Sequence, residues 1–523
     1  MVRISFKRYV NGPSLAAIWI ATLGLVRVLM MAGHSQEVIV AHVPDDAFYY
    51  LMAAKNFATG WYWSFDGHNP ATGFHLLFGY LVASAYCVWE SAPLQALLLI
   101  FGCASIVLVS FAAYWVVRAS TSDDKLLGGT GAVFVFTSTI ALVQPTLLME
   151  SCFVIFFGSL LLFLISTVST SNPDEGMAFA VVCFSTGLLG TLSRSDFAVL
   201  PWTLFGVYQV AYLLKRDYGS PYRIVSLAAL GSLLGLLIVS CHCYIVSGNL
   251  YQASVVIKSH WGQTYGYDLR QPIQLVSKLA LISPASGPIS GEVALSALTI
   301  MAFLTAYSNW HGKDKGQSLL VIGCTVCIVV YLLIYAQNSG SLQIWYIGVF
   351  VPLAAFIANV ALQSVRHVFL NFIIFTYVIA MSLANLAASV QPIWPHQAAM
   401  RDAGLFLKAR PHIRPVASWN AGIIGFFAER PVINLDGLMN DSIIPYVLKN
   451  QVLNYVEQNQ IKFICDFRAM ISDPLLAERG GYPSGTLARR LIHEAFLSED
   501  RPELRWHDTR ISLFRVSGIR GEF

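Results

Sequence analysis

Apolar runs of about 17 to 24 residues with almost no charge recur along the chain, the length of a membrane-crossing helix and not the striped pattern of a water-facing one. They lie at about 14–33, 94–117, 127–147, 151–170, 177–193, 197–214, 224–247, 291–310, 318–337, 346–364 and 368–390, which predicts about 11 crossings. A further apolar segment, 74–89, is decided by charge. If it does not cross, the cytoplasmic positions hold Arg3, Lys7, Arg8, Arg118, Lys125, Lys215, Arg216, Arg223, Lys313, Lys315 and Arg366, as the positive-inside rule requires. If it crosses, every basic cluster except the first moves outside. The segment is therefore expected to lie in the interface, or to dip in and return. The loop at 171–176, with Asp174 and Glu175 and no base, fits this scheme least.

Three long stretches then fall on the outer side: 34–93, 248–290 and everything after 390. In the last of these the pattern changes, with frequent charges and short apolar runs. It predicts a strand at 416–418, a short helix at 421–427, a strand at 432–435, helix near 446–458 and a strand at 463–467. Alternating strands and helices indicate a small α/β domain of about 130 residues. The expected architecture is a polytopic α-helical membrane protein, with a transmembrane domain over 1–390 and an extracytoplasmic α/β domain over 391–523.

Composition strengthens the membrane reading, because 56% of residues are apolar and only 12% charged, about half the charge of a soluble chain. The net charge of +4 is small, and no basic run is interleaved with aromatics, so nucleic-acid binding is excluded as a function class. Most of the nine cysteines, Cys103, Cys183, Cys324 and Cys327 among them, sit in apolar spans as small hydrophobes. No Cys/His spacing matches a zinc site. The N-terminal apolar run is too long for a signal peptide and lacks a small-residue cleavage site, so it reads as a retained span. Arg27 inside it has two readings, an inward-packed or snorkelling side chain and a partner for an anionic lipid headgroup.

Candidate chemistry gathers on the first outer loop, which contains Asp45-Asp46 and, further on, Asp66-Gly67-His68-Asn69-Pro70. Adjacent carboxylates repel, which raises the pKa of at least one and suits a general base. The plain alternative is that Pro44-Asp45-Asp46 only opens a helix, since acids favour the first turn.

The run Asp45-Asp46-Ala47-Phe48-Tyr49-Tyr50, then Ala54 to Gly60, Ser64-Phe65-Asp66-Gly67 and Asn69 to His75, resembles the first-loop signature of bacterial GT-C superfamily glycosyltransferases. Met149-Glu150-Ser151, Leu192 to Asp196, Gly248 to Tyr251 through Lys258, Trp345-Tyr346, Asn420 to Gly425 and Asn434-Leu435-Asp436-Gly437 are similar to the same family. The resemblance implies an inner-membrane, multi-pass enzyme of the cell envelope, with its active site and C-terminal domain on the periplasmic side. It implies transfer of a sugar from a polyprenyl-phosphate donor to an extracytoplasmic glycan, lipid or protein, with inversion.

Carried onto this chain, the resemblance makes Asp45 and Asp46 the catalytic pair and Glu150 the second-loop acid. Arg194, Lys258 and His260 are placed at span ends to bind the lipid phosphate, as the departing charge requires. For Arg194 the plain reading is an ion pair with Asp196, and for His260 a place beside Trp261 in the interfacial belt. Tyr49, His75, Trp345, Tyr346, Asn420 and Asp436 complete the supporting and acceptor-side set. Trp345-Tyr346 also reads as an interfacial anchor, and Asp436 before Gly437 as a turn residue. A divalent cation on Asp45, Asp46 and Glu150 is left open. The Asn-Leu-Asp-Gly region is most similar to the arabinofuranosyltransferase branch, while related enzymes handle arabinofuranose, aminoarabinose, mannose and other hexoses and the first-loop residues do not distinguish among them. A transporter or flippase of a lipid-linked intermediate is the competing class. It predicts mid-span charges and repeated halves, and apart from Arg27 neither is visible.

Overall fold

The computed structural model describes residues 11–60, 62–121, 128–168, 176–214, 219–280, 315–363, 368–486, 489–497 and 510–517, with isolated positions between 296 and 307. The expected span at 291–310 lies mostly outside these residues. So do Arg3, Lys7, Arg8, Lys125, Asp174, Glu175, Lys215, Arg216, Lys313 and Arg366. The chain forms two compact units. One comprises Met1–Ala32, Leu97–Ile238 and Asp268–Gln391, and the other Gly33–Ala96, Val239–Tyr267 and Pro392–Phe523.

The first unit is a helical bundle. Among the described residues, six helices are long and apolar enough to cross a membrane: Gly12–Ala32, Leu94–Ser120, Ser220–Ser247, Lys315–Ala336, Ile344–Gln363 and Phe369–Ser389. The bent pair Thr139–Thr146 and Ser151–Thr167, at 117°, makes a seventh if counted as one span. Met177–Ser193 and Val199–Leu213 are shorter apolar helices. This is a multi-pass membrane protein.

The continuous crossing expected at 127–147 is instead broken into Thr130–Phe136, Thr139–Val143 and a 3-10 turn at Gln144–Thr146. Thr137 and Ser138 turn their hydroxyls onto the carbonyls of Val133 and Val135, at 2.7 and 2.8 Å, and Pro145 has no N–H to give. Helix Ile344–Gln363 is almost wholly buried. Its Asn359 donates to Ser120 Oγ and the Gly128 carbonyl at 2.7 and 2.8 Å and accepts the Gly131 amide at 3.1 Å. Small residues allow the closest crossing: a Cβ on Gly187 would lie 1.9 Å from the Ala228 carbonyl oxygen, and one on Gly231 2.0 Å from that of Phe184.

Arg27 is wholly buried and packs inward, donating to Thr146 Oγ1 at 3.2 Å and to the carbonyl and hydroxyl of Ser389.

The second unit is built around a five-stranded sheet of order β2-β1-β3-β5-β4, from β1 (Val416–Ser418), β2 (Ile433–Asn434), β3 (Phe463–Phe467), β4 (Leu491–Phe496) and β5 (Ile511–Val516). β1 pairs in parallel with β2 and β3, while β5 runs antiparallel to β3 and β4. The first three strands and the helix Ala421–Ala428 follow the sequence pattern; β4 and β5 were not expected from it. The region expected to be helical near 446–458 is two short helices, Ile444–Leu448 and Val452–Gln458.

Helix Asp45–Gly60 lies along helix Ala421–Ala428 through Phe48, whose ring centre is 5.2 Å from that of Phe426. On its other side Tyr50 meets Phe78 of helix Leu76–Val88 at 5.3 Å. That helix has 13 residues, about 20 Å of length against the roughly 30 Å of a hydrocarbon core.

Candidate active site

Asp45 and Asp46 open the helix Asp45–Gly60. The two neighbours point to different partners. Asp45 Oδ1 accepts the Ile423 amide at 2.6 Å and Oδ2 the Gly422 amide at 3.3 Å. These are orphan N–H groups in the first turn of helix Ala421–Ala428, so the carboxyl caps a helix other than its own. The approach requires glycine, because a Cβ on Gly422 would sit 2.4 Å from the Asp45 carbonyl oxygen and 2.7 Å from Oδ1. Burial nonetheless pushes the Asp45 pKa up to about 8, with the two amides opposing and Asp46 and Asp436 adding to the rise. At neutral pH the group is mostly a protonated acid.

Asp46 keeps about a quarter of its side chain exposed, and Lys258 Nζ stands 3.9 Å from its Oδ2. Burial raises its pKa, while Lys258 and then Arg479 oppose the rise. The pair therefore holds one carboxyl turned to backbone amides with a strongly raised pKa, and one beside Lys258 and within the electrostatic reach of Arg479.

Tyr49 ties the acids to the sheet. Its hydroxyl donates to the Trp419 carbonyl at 3.2 Å, accepts from the Ala421 amide at 3.2 Å and Asn434 Nδ2 at 3.1 Å, and lies 3.5 Å from Asp436 Oδ2. Asp436 follows β2, and its Oδ1 accepts the Leu438 amide at 2.7 Å. Gly437, at φ +82°, makes the turn. Burial pushes Asp436 up to about 7, against the pull of that amide and of Arg479. Helix Ala253–Tyr265 packs directly on this turn, Ile257 Cδ1 lying 2.9 Å from where a Gly437 Cβ would be. That packing delivers Lys258 to Asp46.

Other expected residues stand elsewhere. Asn420 turns its side chain and amide to Asp466, at 2.8 and 3.0 Å. His75 precedes helix Leu76–Val88 and its amide donates to Tyr50 Oη at 3.1 Å. His260 is two residues past Lys258 and so on a different face of the helix; burial lowers its pKa against the pull of Glu478.

Arg194, Glu150, Trp345 and Tyr346 belong to the bundle unit. Arg194 forms a two-bond pair with Asp196 at 2.7 and 2.8 Å and donates to Tyr335 Oη at 2.7 Å and the Trp345 carbonyl at 2.9 Å. Its guanidinium carbon is 5.1 Å from the Tyr346 ring centre. Glu150, buried at the start of helix Ser151–Val168, acts on that guanidinium electrostatically. Trp345 is buried, not placed as an exposed interfacial anchor.

Among the described residues no three His, Cys, Asp or Glu side chains are grouped to hold a metal ion. Arg479 acts electrostatically on both Asp46 and Asp436, and nothing around it in the chain marks a site.

Residues 388–510 match a family model described as a domain of unknown function, DUF8728. No curated protein matches the sequence. Solved structures are similar across almost the whole chain. ArnT from Cupriavidus metallidurans bound to undecaprenyl phosphate superposes with a TM-score of 0.58 at 12% identity, covering 97% of this chain and 99% of that one. The archaeal oligosaccharyltransferase AglB from Archaeoglobus fulgidus, in complex with an inhibitory peptide and a dolichol-phosphate, gives 0.58 at 12% identity, over 91% of this chain and 71% of that one. This is the GT-C fold. At such identity the likeness is one of architecture.

Proposed function

We propose that the chain is a membrane glycosyltransferase that moves a sugar from a polyprenyl-phosphate donor to a hydroxyl on an extracytoplasmic acceptor, with inversion at the anomeric carbon. The observation that carries this reading is the division of labour in the acid pair. Asp45 is engaged by two amides and holds the helix start, whereas Asp46 is part-exposed beside Lys258. Asp46 is the general base. It takes the acceptor proton as the hydroxyl oxygen bonds to the anomeric carbon, and the carbon–oxygen bond to phosphate breaks with its electron pair on the phosphate. Lys258 stabilises that departing charge. ArnT bound to undecaprenyl phosphate and AglB in complex with a dolichol-phosphate support a lipid phosphate as the leaving group. In this reading Arg194 and His260 are not phosphate ligands, because Arg194 is spent on Asp196, Tyr335 and Trp345 and His260 lies on a different face of its helix from Lys258.

The test is an assay of membranes carrying wild type, Asp45→Asn or Asp46→Asn with radiolabelled polyprenyl-phosphate arabinofuranose, aminoarabinose and mannose. Asp46→Asn is expected to cut transfer by about 10²- to 10⁴-fold, the usual worth of a positioned base. Wild-type transfer by Asp46→Asn would remove the assignment.

A further inference from the structure

Helix Pro474–Arg479 has six residues, too few to persist alone. Both ends are held. The Asp473 side chain accepts the Leu475 and Leu476 amides at 2.9 and 3.4 Å. At the other end, Trp261 Nε1 donates to the Arg479 carbonyl at 3.0 Å and Trp419 Nε1 to that of Gly480 at 3.1 Å. Both indoles are buried.

Trp261 also holds the side chain of Arg479, whose guanidinium carbon lies 4.0 Å from its ring centre in a cation–π contact. Backbone and side chain of one arginine are thus set by one tryptophan. Among the described residues, no carboxylate lies within ion-pair distance of that guanidinium, although the cation sits near enough to act on both Asp46 and Asp436. Trp261 lies three residues after Lys258 in helix Ala253–Tyr265, so the two share a helix face.

We infer that Arg479 is a second phosphate-binding cation beside Lys258, with Trp261 as its positioning residue. The identity of the anion, a lipid-linked phosphate, rests on the transfer reading above. A lysine offers a point charge, whereas a guanidinium offers a planar fork of donors that matches two phosphate oxygens. Held on an indole face, the fork loses little freedom on binding. The C-terminal segment thereby supplies part of the donor site.

Binding by the purified full chain in detergent tests this without any transfer step. The probes are undecaprenyl phosphate, undecaprenol and inorganic phosphate. Arg479→Gln is expected to weaken undecaprenyl phosphate by about tenfold or more and leave undecaprenol unchanged. Inorganic phosphate should compete with the lipid phosphate on wild type and lose that effect on the variant. Arg479→Lys should recover part of the loss. Trp261→Phe, which keeps a ring but removes the N–H, should fall between wild type and Trp261→Leu. Unchanged undecaprenyl phosphate affinity in Arg479→Gln overturns the inference. So does an equal fall for phosphate and alcohol in both arginine variants, which would mean that the residue only supports the fold. A chain that binds the lipid phosphate through Arg479 yet transfers no sugar would sink the transferase reading and leave this assignment standing.

Discussion

Asp45 Oδ1 accepts the Ile423 amide at 2.6 Å across 378 positions of sequence, so the first turn of one helix closes the first turn of another. The carboxyl does this largely in its neutral form, with burial holding its pKa at about 8. An amide side chain is close to isosteric with that form and also presents an acceptor to Ile423.

A stability experiment follows from that state. In the unfolded chain Asp45 titrates near about 4, and in the folded protein at about 8. Between these values the folded state binds more protons than the unfolded one, so its stability is full below the lower value and falls as pH rises towards the higher. Asp436, at about 7, adds a slope of the same sign. Thermal unfolding from pH 4 to 8.5 should therefore show Tm declining in wild type and declining less in Asp45→Asn, where Asp436 and the other carboxyls that burial raises, Asp46, Asp441 and Asp466, keep a slope of the same sign. Parallel curves would show that Asp45 ionises freely in the fold.

Much of this arrangement is legible in the sequence, and the illegible parts have a common cause. The acid pair, Tyr49, Lys258 and Asp436 stand out because each lies in a locally unusual run. β1, β3 and the helix between β1 and β2 follow from local pattern. Arg479 has no such signal: Asp473-Pro474 marks where its short helix starts, but the indoles of residues 261 and 419 that hold its far end are distant in sequence and leave no local trace. The break at Thr137-Ser138 is also hidden from hydropathy, because both hydroxyls satisfy themselves on backbone carbonyls within one turn. A scale that counts apolarity sees one continuous span.

The Asp46–Lys258 contact makes the pH dependence of transfer a reporter on the base. Burial raises the Asp46 pKa and Lys258 lowers it, so removing the cation leaves the rise less opposed. Activity should climb with pH as Asp46 loses its proton. Lys258→Met should shift that ascending limb to higher pH and also lower the plateau, since the leaving phosphate loses a counter-charge. A lowered plateau with an unmoved limb would place the titrating base elsewhere.

Arg194 offers the converse test, of a cation read here as structural. Its guanidinium is 2% exposed and is shared among Asp196, Tyr335 and the Trp345 carbonyl, while Tyr335 Oη lies 2.5 Å from Asp196 Oδ2. Arg194→Met would leave the Asp196 carboxylate on the Tyr335 hydroxyl without a cation. Loss of one partner from such a pair costs about 3 kcal/mol, so Tm in detergent should fall by several degrees. Arg194→Lys keeps the charge but not the fork, and should recover only part of the loss. The double variant Arg194→Met/Asp196→Asn should recover more than Arg194→Met alone, because the stranded charge has gone. Affinity for undecaprenyl phosphate, measured below the unfolding range, should match wild type throughout. A variant that keeps its Tm while losing that affinity would return Arg194 to the phosphate.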